Sequence, residues 1–145
     1  KTFKSKENWK CVGSGVNYNF AKYASKKIMN TSKRACAFDV LENHKHIDIS
    51  AESCLLVLIS NIERSGYQSD AQAEIQKMIS HNNTPIIITN TDDDRFDNIV
   101  FNEKETYANK KLSVLKFPKV VEEFSFFINS AMLEMFLKNL KKNNL

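Results

Sequence analysis

Two of the chain's three glycines stand together in Gly13-Ser14-Gly15, behind a short strand-like run at residues 9–12 and ahead of a stretch with helical spacing. A strand that ends in Gly-x-Gly and feeds a helix brings backbone N–H groups close to an anion, at the place where the helix dipole favours negative charge. A phosphate is the expected guest. The same turn also serves as plain chain reversal, because glycine takes positive φ without steric penalty.

Beyond the turn, the chain alternates between helix and strand signals. Residues 18–31 carry Phe20, Ala21, Ala24 and Ile28 at the i, i+3, i+4 spacing of a helix. Residues 34–38 form a short second strand, and 40–47 are open between loop and short helix. The clearest element is the continuous apolar run at 53–59, of the kind found in a parallel strand covered on both faces. A polar loop with Ser65 and Gly66 leads to a helix over 69–80. That helix turns Ala71, Ile75, Met78 and Ile79 inward, with Ser69 as N-cap and Gln72 at the capping-box spacing. Residues 85–89 give another buried strand and 111–115 a last one; Pro118 is a break. Residues 120–140 form a long closing helix.

Strands separated by helices of this length imply right-handed βαβ units and a doubly wound parallel sheet. Ligands of such sheets sit beyond the carboxyl ends of the strands, near the point where strand order reverses. The glycine turn, the loop after Ile59 and the loop after Thr89 all fall on that rim. The closing helix carries two apolar stripes. One holds Phe124, Phe127, Ile128, Ala131, Met135 and Phe136; the other holds Phe126, Leu133, Leu137 and Leu140. Such a helix expects cover on more than one side, from the sheet and from a partner chain or a further domain.

Composition narrows the classes. At 145 residues and 42% apolar content the chain fits one domain, which buries roughly two-thirds of its unfolded surface. The net charge of +4 is spread along the chain and densest at the two ends, without the basic stripe and interleaved aromatics of a nucleic-acid binder. Cys11, Cys36 and Cys54 are far apart and fit reduced core thiols. No leader pattern is visible and no apolar run nears about 18 residues, so the expectation is a cytoplasmic chain with no membrane partner. The chain opens on Lys1, as a piece of a longer protein would.

Several ligand classes drop out. The dinucleotide pattern needs a third glycine where Tyr18 stands, and Asp39 is a poor substitute for the acidic residue that ends the second strand. No Gly-Lys-Ser/Thr follows the turn, so it is not a P-loop. Asp92-Asp93-Asp94 lacks the glycine and spaced acceptors of a calcium loop and fits a solvated turn. His44 and His46 have no third ligand nearby, and His81 is distant, so no metal site is expected. No cofactor is implied. The remaining class is a sheet that takes a small phosphorylated molecule.

The stretch from Val12 to Ile28 resembles the opening strand, glycine turn and first helix of the sugar isomerase (SIS) domain family. It is most similar to the second such domain of the glucosamine-6-phosphate synthase and fructosamine-6-phosphate deglycase group. The turn of that group, Gly-x-Gly-x-x-Tyr, is matched by Gly13, Gly15 and Tyr18. The stretch Pro118 to Phe124 resembles the family's Pro-x-Val-x-Glu lead into its closing helix. The Ser60-Asn61-Ile62-Glu63 loop is closer to the second domain than to the Ser-x-Ser-Gly-Glu/Thr phosphate loop of the first. The resemblance covers nearly the whole chain. It implies an α/β three-layer sandwich with a flavodoxin-like, five-stranded parallel sheet and a long C-terminal helix. It also implies a single SIS domain over 1–145, the C-terminal half of a two-SIS-domain protein.

The site implied by the resemblance is incomplete. Gly13, Ser14, Gly15, Asn17, Tyr18 and Asn30 would touch substrate, and His46, Glu42 and Lys27 would act on it. His46 falls where the family has a ring-opening histidine, but Ile47 and Asp48 replace the Gly-Pro that comes after it. His44 is a less well placed alternative. Sixteen positions earlier, where the family carries a proton-moving glutamate, stands Asn30, and an amide is no general base at neutral pH. Glu42 either replaces that carboxylate or orients the histidine ring. Lys27 falls where the synthases have a helix lysine, a position equally suited to a solvated side chain.

Three readings are open. The chain is the distal domain of a phosphosugar isomerase, aminotransferase or deglycase acting on an ester such as fructose 6-phosphate or glucosamine 6-phosphate. Or it is a non-catalytic SIS module for phosphosugar binding, dimerisation or regulation. Or it is the sensing module of a regulator, although no helix-turn-helix accompanies it. The expected partners are a phosphorylated sugar and either a second copy, as a homodimer, or another SIS domain.

Overall fold

The computed structural model of the chain describes residues 8–41, 53–58, 67–81, 83–90, 92, 94–103 and 108–142. Strand β1 (Asn8–Gly13) runs into the glycine turn and helix α1 (Val16–Ser32), after which come strands β2 (Cys36–Asp39) and β3 (Ser53–Leu58). Helix α2 (Tyr67–Ser80) leads to strand β4 (Thr84–Asn90). A small hairpin, β5 (Val100–Glu103) and β6 (Ala108–Lys111), precedes strand β7 (Ser113–Phe117) and helix α3 (Glu122–Lys142).

The main sheet has the order β2-β1-β3-β4-β7, and each neighbouring pair is parallel. Strand order reverses between β1 and β3, where Gly13 lies level with Leu58. Alternation along the strands divides the core into two layers. Trp9, Cys11, Ile86 and Ile88 pack with Phe20, Ala24 and Ile28 of α1 and Leu133 and Leu137 of α3. Val12 and Ile87 face the other way, toward Ala71, Ile75 and Met78 of α2, and Phe96 closes that layer. Period two in the strands and 3.6 in the helices therefore yield a three-layer α/β sandwich.

Several local expectations are corrected. Helix α2 begins at Tyr67, so Ser69 stands inside its first turn and does not cap it; a serine is tolerated there because the first-turn N–H groups have no intrahelical acceptor. The last strand of the sheet runs from Ser113 to Phe117, while Lys111 belongs to the hairpin, paired with Val100. The hairpin escapes a periodicity reading because strands of four residues offer two side chains per face. In the ambiguous stretch at 40–47 only Val40 and Leu41 are described, Leu41 being buried.

Helix α3 is covered along one face only. Ser125, Asn129, Leu133 and Leu137, four apart, are buried against α1 and the sheet. Of the two expected stripes, Leu133 and Leu137 of one are inside; Phe126 of that stripe and Phe124, Phe127 and Met135 of the other are 45 to 67% exposed. The exposed rings lie against one another and against Tyr23. Among the described residues no helix is long and apolar enough to cross a membrane.

The two described cysteines are buried free thiols on β1 and β2, with Sγ atoms 3.7 Å apart. The side chain of Cys54 lies outside the described residues.

At Gly13 sheet and helix approach closely. A Cβ there would stand 2.7 Å from the backbone oxygen of Asn17 and 2.9 Å from its Cβ, and backbone atoms yield little. Gly13→Ala is expected to lower unfolding stability by about 1–3 kcal/mol, measured by the urea midpoint; a midpoint equal to that of the parent chain would show that the helix can withdraw at no cost.

Candidate functional site

The carboxyl end of β1 builds the candidate site. Gly13 is buried, Ser14 half-buried and Gly15 exposed. Gly15 has φ 59° and ψ −129°, a combination open to glycine and almost no other residue. That conformation turns the chain from strand to helix within two residues. The Asn17 N–H donates to the Ser14 carbonyl and the Tyr18 N–H to the Gly15 carbonyl, each at 3.1 Å. The amides of Gly15 and Val16 thus precede the first helical hydrogen bonds, at the positive end of a helix of 17 residues.

Tyr18 leans on the edge of the sheet. Its ring lies 6.0 Å from that of Phe38 on β2, and the Lys22 amine stands 5.8 Å over the same Phe38 ring. A cation beside an aromatic ring, one turn after Tyr18, adds positive charge near the turn. The sequence reading overlooked Lys22 and Phe38; the i, i+4 spacing of Tyr18 and Lys22 was the available sign. Asn17 points inward instead, nearly fully buried, and accepts a long hydrogen bond of 3.5 Å from Asn129 Nδ2. The Asp39 carboxylate accepts from the Val40 N–H at 2.7 Å, a local turn bond.

Gly13, Ser14, Gly15, Asn17 and Tyr18 therefore come together. Lys27 and Asn30 do not join them, because 1.5 Å of rise per residue carries these positions about 17 and 21 Å along α1 from Val16. Asn30 is exposed near the carboxyl end of the helix. A single hexose phosphate seated on the turn cannot span to either. His46 and Glu42, with His44 and the loop at 60–66, lie outside the described residues.

Lys27 has a partner of its own. Its amine is 2.9 Å from the Glu134 carboxylate on α3 and 5.6 Å from the Tyr23 ring centroid. The hydrogen bond to Glu134, with Tyr23 second, raises the Lys27 pKa above its ordinary 10.5. The hydrogen bond from Lys27 lowers the Glu134 pKa below 4.5. Both groups are well exposed, so solvent screens the pair and its contribution to stability is small.

A concavity of about 380 Å³ lies between α2 and the segment joining β4 to β5, lined by Gln72, Gln76, Ile79, Arg95 and Asn98 among others. Its apolar floor belongs to the α2 layer, on the opposite side of the sheet from α1. Arg95 is held 5.1 Å over the ring of buried Phe96. Asp92 and Asp94 nearby are exposed.

Comparison with known proteins agrees with this architecture. The SIS domain family matches residues 3–100. The C-terminal domain of glucosamine-fructose-6-phosphate aminotransferase from Francisella tularensis superposes with a TM-score of 0.66 at 16% identity, over 93% of this chain and 36% of that one. Tagatose-6-phosphate ketose/aldose isomerase from Escherichia coli gives 0.61 at 15% identity, over 94% of this chain and 36% of that one. The chain thus spans about a third of each of these relatives. No curated protein matches.

The Lys27–Glu134 pair predicts a pH signature. The raised lysine contributes below its ordinary pKa and loses its contribution as pH rises through the raised value. The lowered glutamate contributes above 4.5 and loses its contribution as pH falls through the lowered value. Glu134→Gln should therefore lower the urea midpoint slightly at neutral pH and not at all well below the glutamate range. A loss of equal size at both would mean that Glu134 acts through packing.

Proposed function

This chain belongs to the SIS family, and on that premise we propose that it binds a phosphorylated sugar at the carboxyl rim of its sheet. The observation that carries the reading is the Gly13-Ser14-Gly15 turn, which opens α1 beside the reversal of strand order between β1 and β3. Backbone amides of the turn would hold the phosphate, Ser14 would add a hydroxyl, and Tyr18 would flank the ester. Lys22 would supply the cation. Asn17 would contribute through its place in the first turn, its side chain being buried.

Catalysis is the finer claim. In the enzyme reading the chain is the C-terminal half of an isomerase, aminotransferase or deglycase, cytoplasmic and without a cofactor, acting on fructose 6-phosphate, glucosamine 6-phosphate or a close relative. His46 would open the ring, with Glu42 as carboxylate, while Lys27 and Asn30, at the far end of α1, would lie too far from the turn to touch the same sugar. The binding-only reading draws support from Asn30, which cannot take a proton from carbon, and from Lys27, which is occupied by Glu134. It is favoured for the chain on its own.

The exposed face of α3, with Phe124, Phe127 and Met135, would pack on a second SIS domain. Scattered apolar side chains need no partner, but a contiguous aromatic group on one helix does. Both structural relatives are chains nearly three times as long, which leaves room for such a domain. Without it two copies of this chain would pair. Replacing Phe124 and Phe127 together by Glu should shift sedimentation from dimer to monomer; a monomeric parent chain would count against self-pairing.

Thermal shift against fructose 6-phosphate and glucosamine 6-phosphate, with fructose and inorganic phosphate as controls, tests the binding site. The esters should stabilise the chain more than either control. Gly15→Val should weaken ester binding at least about tenfold while costing about 1–3 kcal/mol of stability through its strained backbone. Absence of any shift with phosphate esters would remove the proposal. Turnover in an isomerisation assay, lost in His46→Ala, would decide for the enzyme.

A further inference from the structure

The seam between α1 and α3 is apolar along most of its length but polar beside the glycine turn. On α3 the buried stripe reads Ser125, Asn129, Leu133, Leu137, and α1 opposes it with Asn17, then Phe20, Ala21, Ala24 and Ile28. Asn17 and Asn129 are each 1% exposed, 112 positions apart, and joined by the hydrogen bond from Asn129 Nδ2 to Asn17 Oδ1. Burying a carboxamide costs free energy that a hydrogen bond only offsets, whereas a leucine pair of similar size would gain from the same burial. Such a pair contributes position more than stability.

The positioned element is the turn. Asn17 is keyed on one side to β1, where its backbone oxygen fills the place a Cβ on Gly13 would take, and its N–H is held by the Ser14 carbonyl. On the other side its side chain is keyed to α3. We propose that Asn129 is a positioning residue that acts through Asn17. It fixes the rotation of the first turn of α1, and with it the direction of the Ser14, Gly15 and Val16 amides. Ligand affinity at the turn then depends on how α3 is docked, although α3 does not form the turn. The ligand part of this inference rests on the phosphosugar reading; the turn geometry does not.

The test uses the full chain and three variants. Asn129→Leu removes the donor to Asn17 Oδ1 and sets an apolar group beside it, and should lower the urea midpoint. Asn17→Leu combined with Asn129→Leu replaces both partners by apolar groups and should recover most of that loss. The double variant should nevertheless bind fructose 6-phosphate about tenfold more weakly, and exchange the Asn17 and Tyr18 amide protons, which the parent holds on the Ser14 and Gly15 carbonyls, faster than the parent while core strand amides stay protected. Parent-like exchange at those two amides in a stable double variant overturns the proposal, whatever the ligand result. Should the parent bind no ester, the phosphosugar reading fails alone and amide exchange still decides. Should the double variant not fold, Asn129→Ser, which keeps a smaller polar group, is expected to show the faster turn exchange, and parent-like exchange there overturns the proposal equally.

Discussion

The seat of the first turn of α1 on Gly13 is the contact on which the rest of the molecule depends. Only a residue without Cβ lets the Asn17 backbone approach so closely, and only Gly15 turns the chain through φ 59° directly afterward. From that seat α1 runs back along the sheet with Phe20, Ala21, Ala24 and Ile28 against Trp9, Cys11 and Cys36. Helix α3 then docks on α1 as much as on the strands. A withdrawal of the first turn would therefore be felt in the β1–α1 packing, in the α1–α3 seam and in the orientation of the turn amides at once.

The two ends of α1 are chemically different. The amino end carries the turn, the helix dipole and Lys22 over Phe38, all favourable to an anion. The carboxyl end carries Lys27, neutralised by Glu134, and the uncharged Asn30. Phosphate recognition and proton transfer make opposite demands, the first for fixed donors and the second for a titratable acceptor. On the proposed reading the turn answers the first demand, and the amide of Asn30 does not answer the second.

The fold was legible because a parallel sheet writes itself in local terms. Strands appear as largely apolar runs at 53–58 and 85–89, and α1 and α2 as stripes of 3.6 period. The features that escaped are those whose cause is not local. Ser69 looked like a cap because a serine before an apolar period usually is one, yet the helix gained most of a turn from Tyr67. The stripes of α3 looked alike because Phe126 and Leu133 are equally apolar; the groove left by α1 and the sheet buried Leu133 and Leu137, took Ile128 and Phe136 of the other stripe at its border, and left the remaining rings outside. Of the site, the glycine turn and Tyr18 could be found by spacing. The i, i+4 spacing of Tyr18 and Lys22 was a sign of the cation, but its seat over Phe38, and the burial of Asn17 against Asn129, could not be read that way, since each joins residues from separate elements.

The sequence by itself determined the order of the main-sheet strands and the helices, the place of the turn and the amide in place of a glutamate at position 30, because hydrophobic periodicity, glycine and side-chain chemistry act within a few residues of one another. Tertiary structure alone decided which distant carboxylate pairs with Lys27, which face of α3 is covered and which aromatic rings stay outside. Those outcomes depend on contacts across more than a hundred positions, as between Lys27 and Glu134, and no local pattern encodes where a distant helix will come to rest.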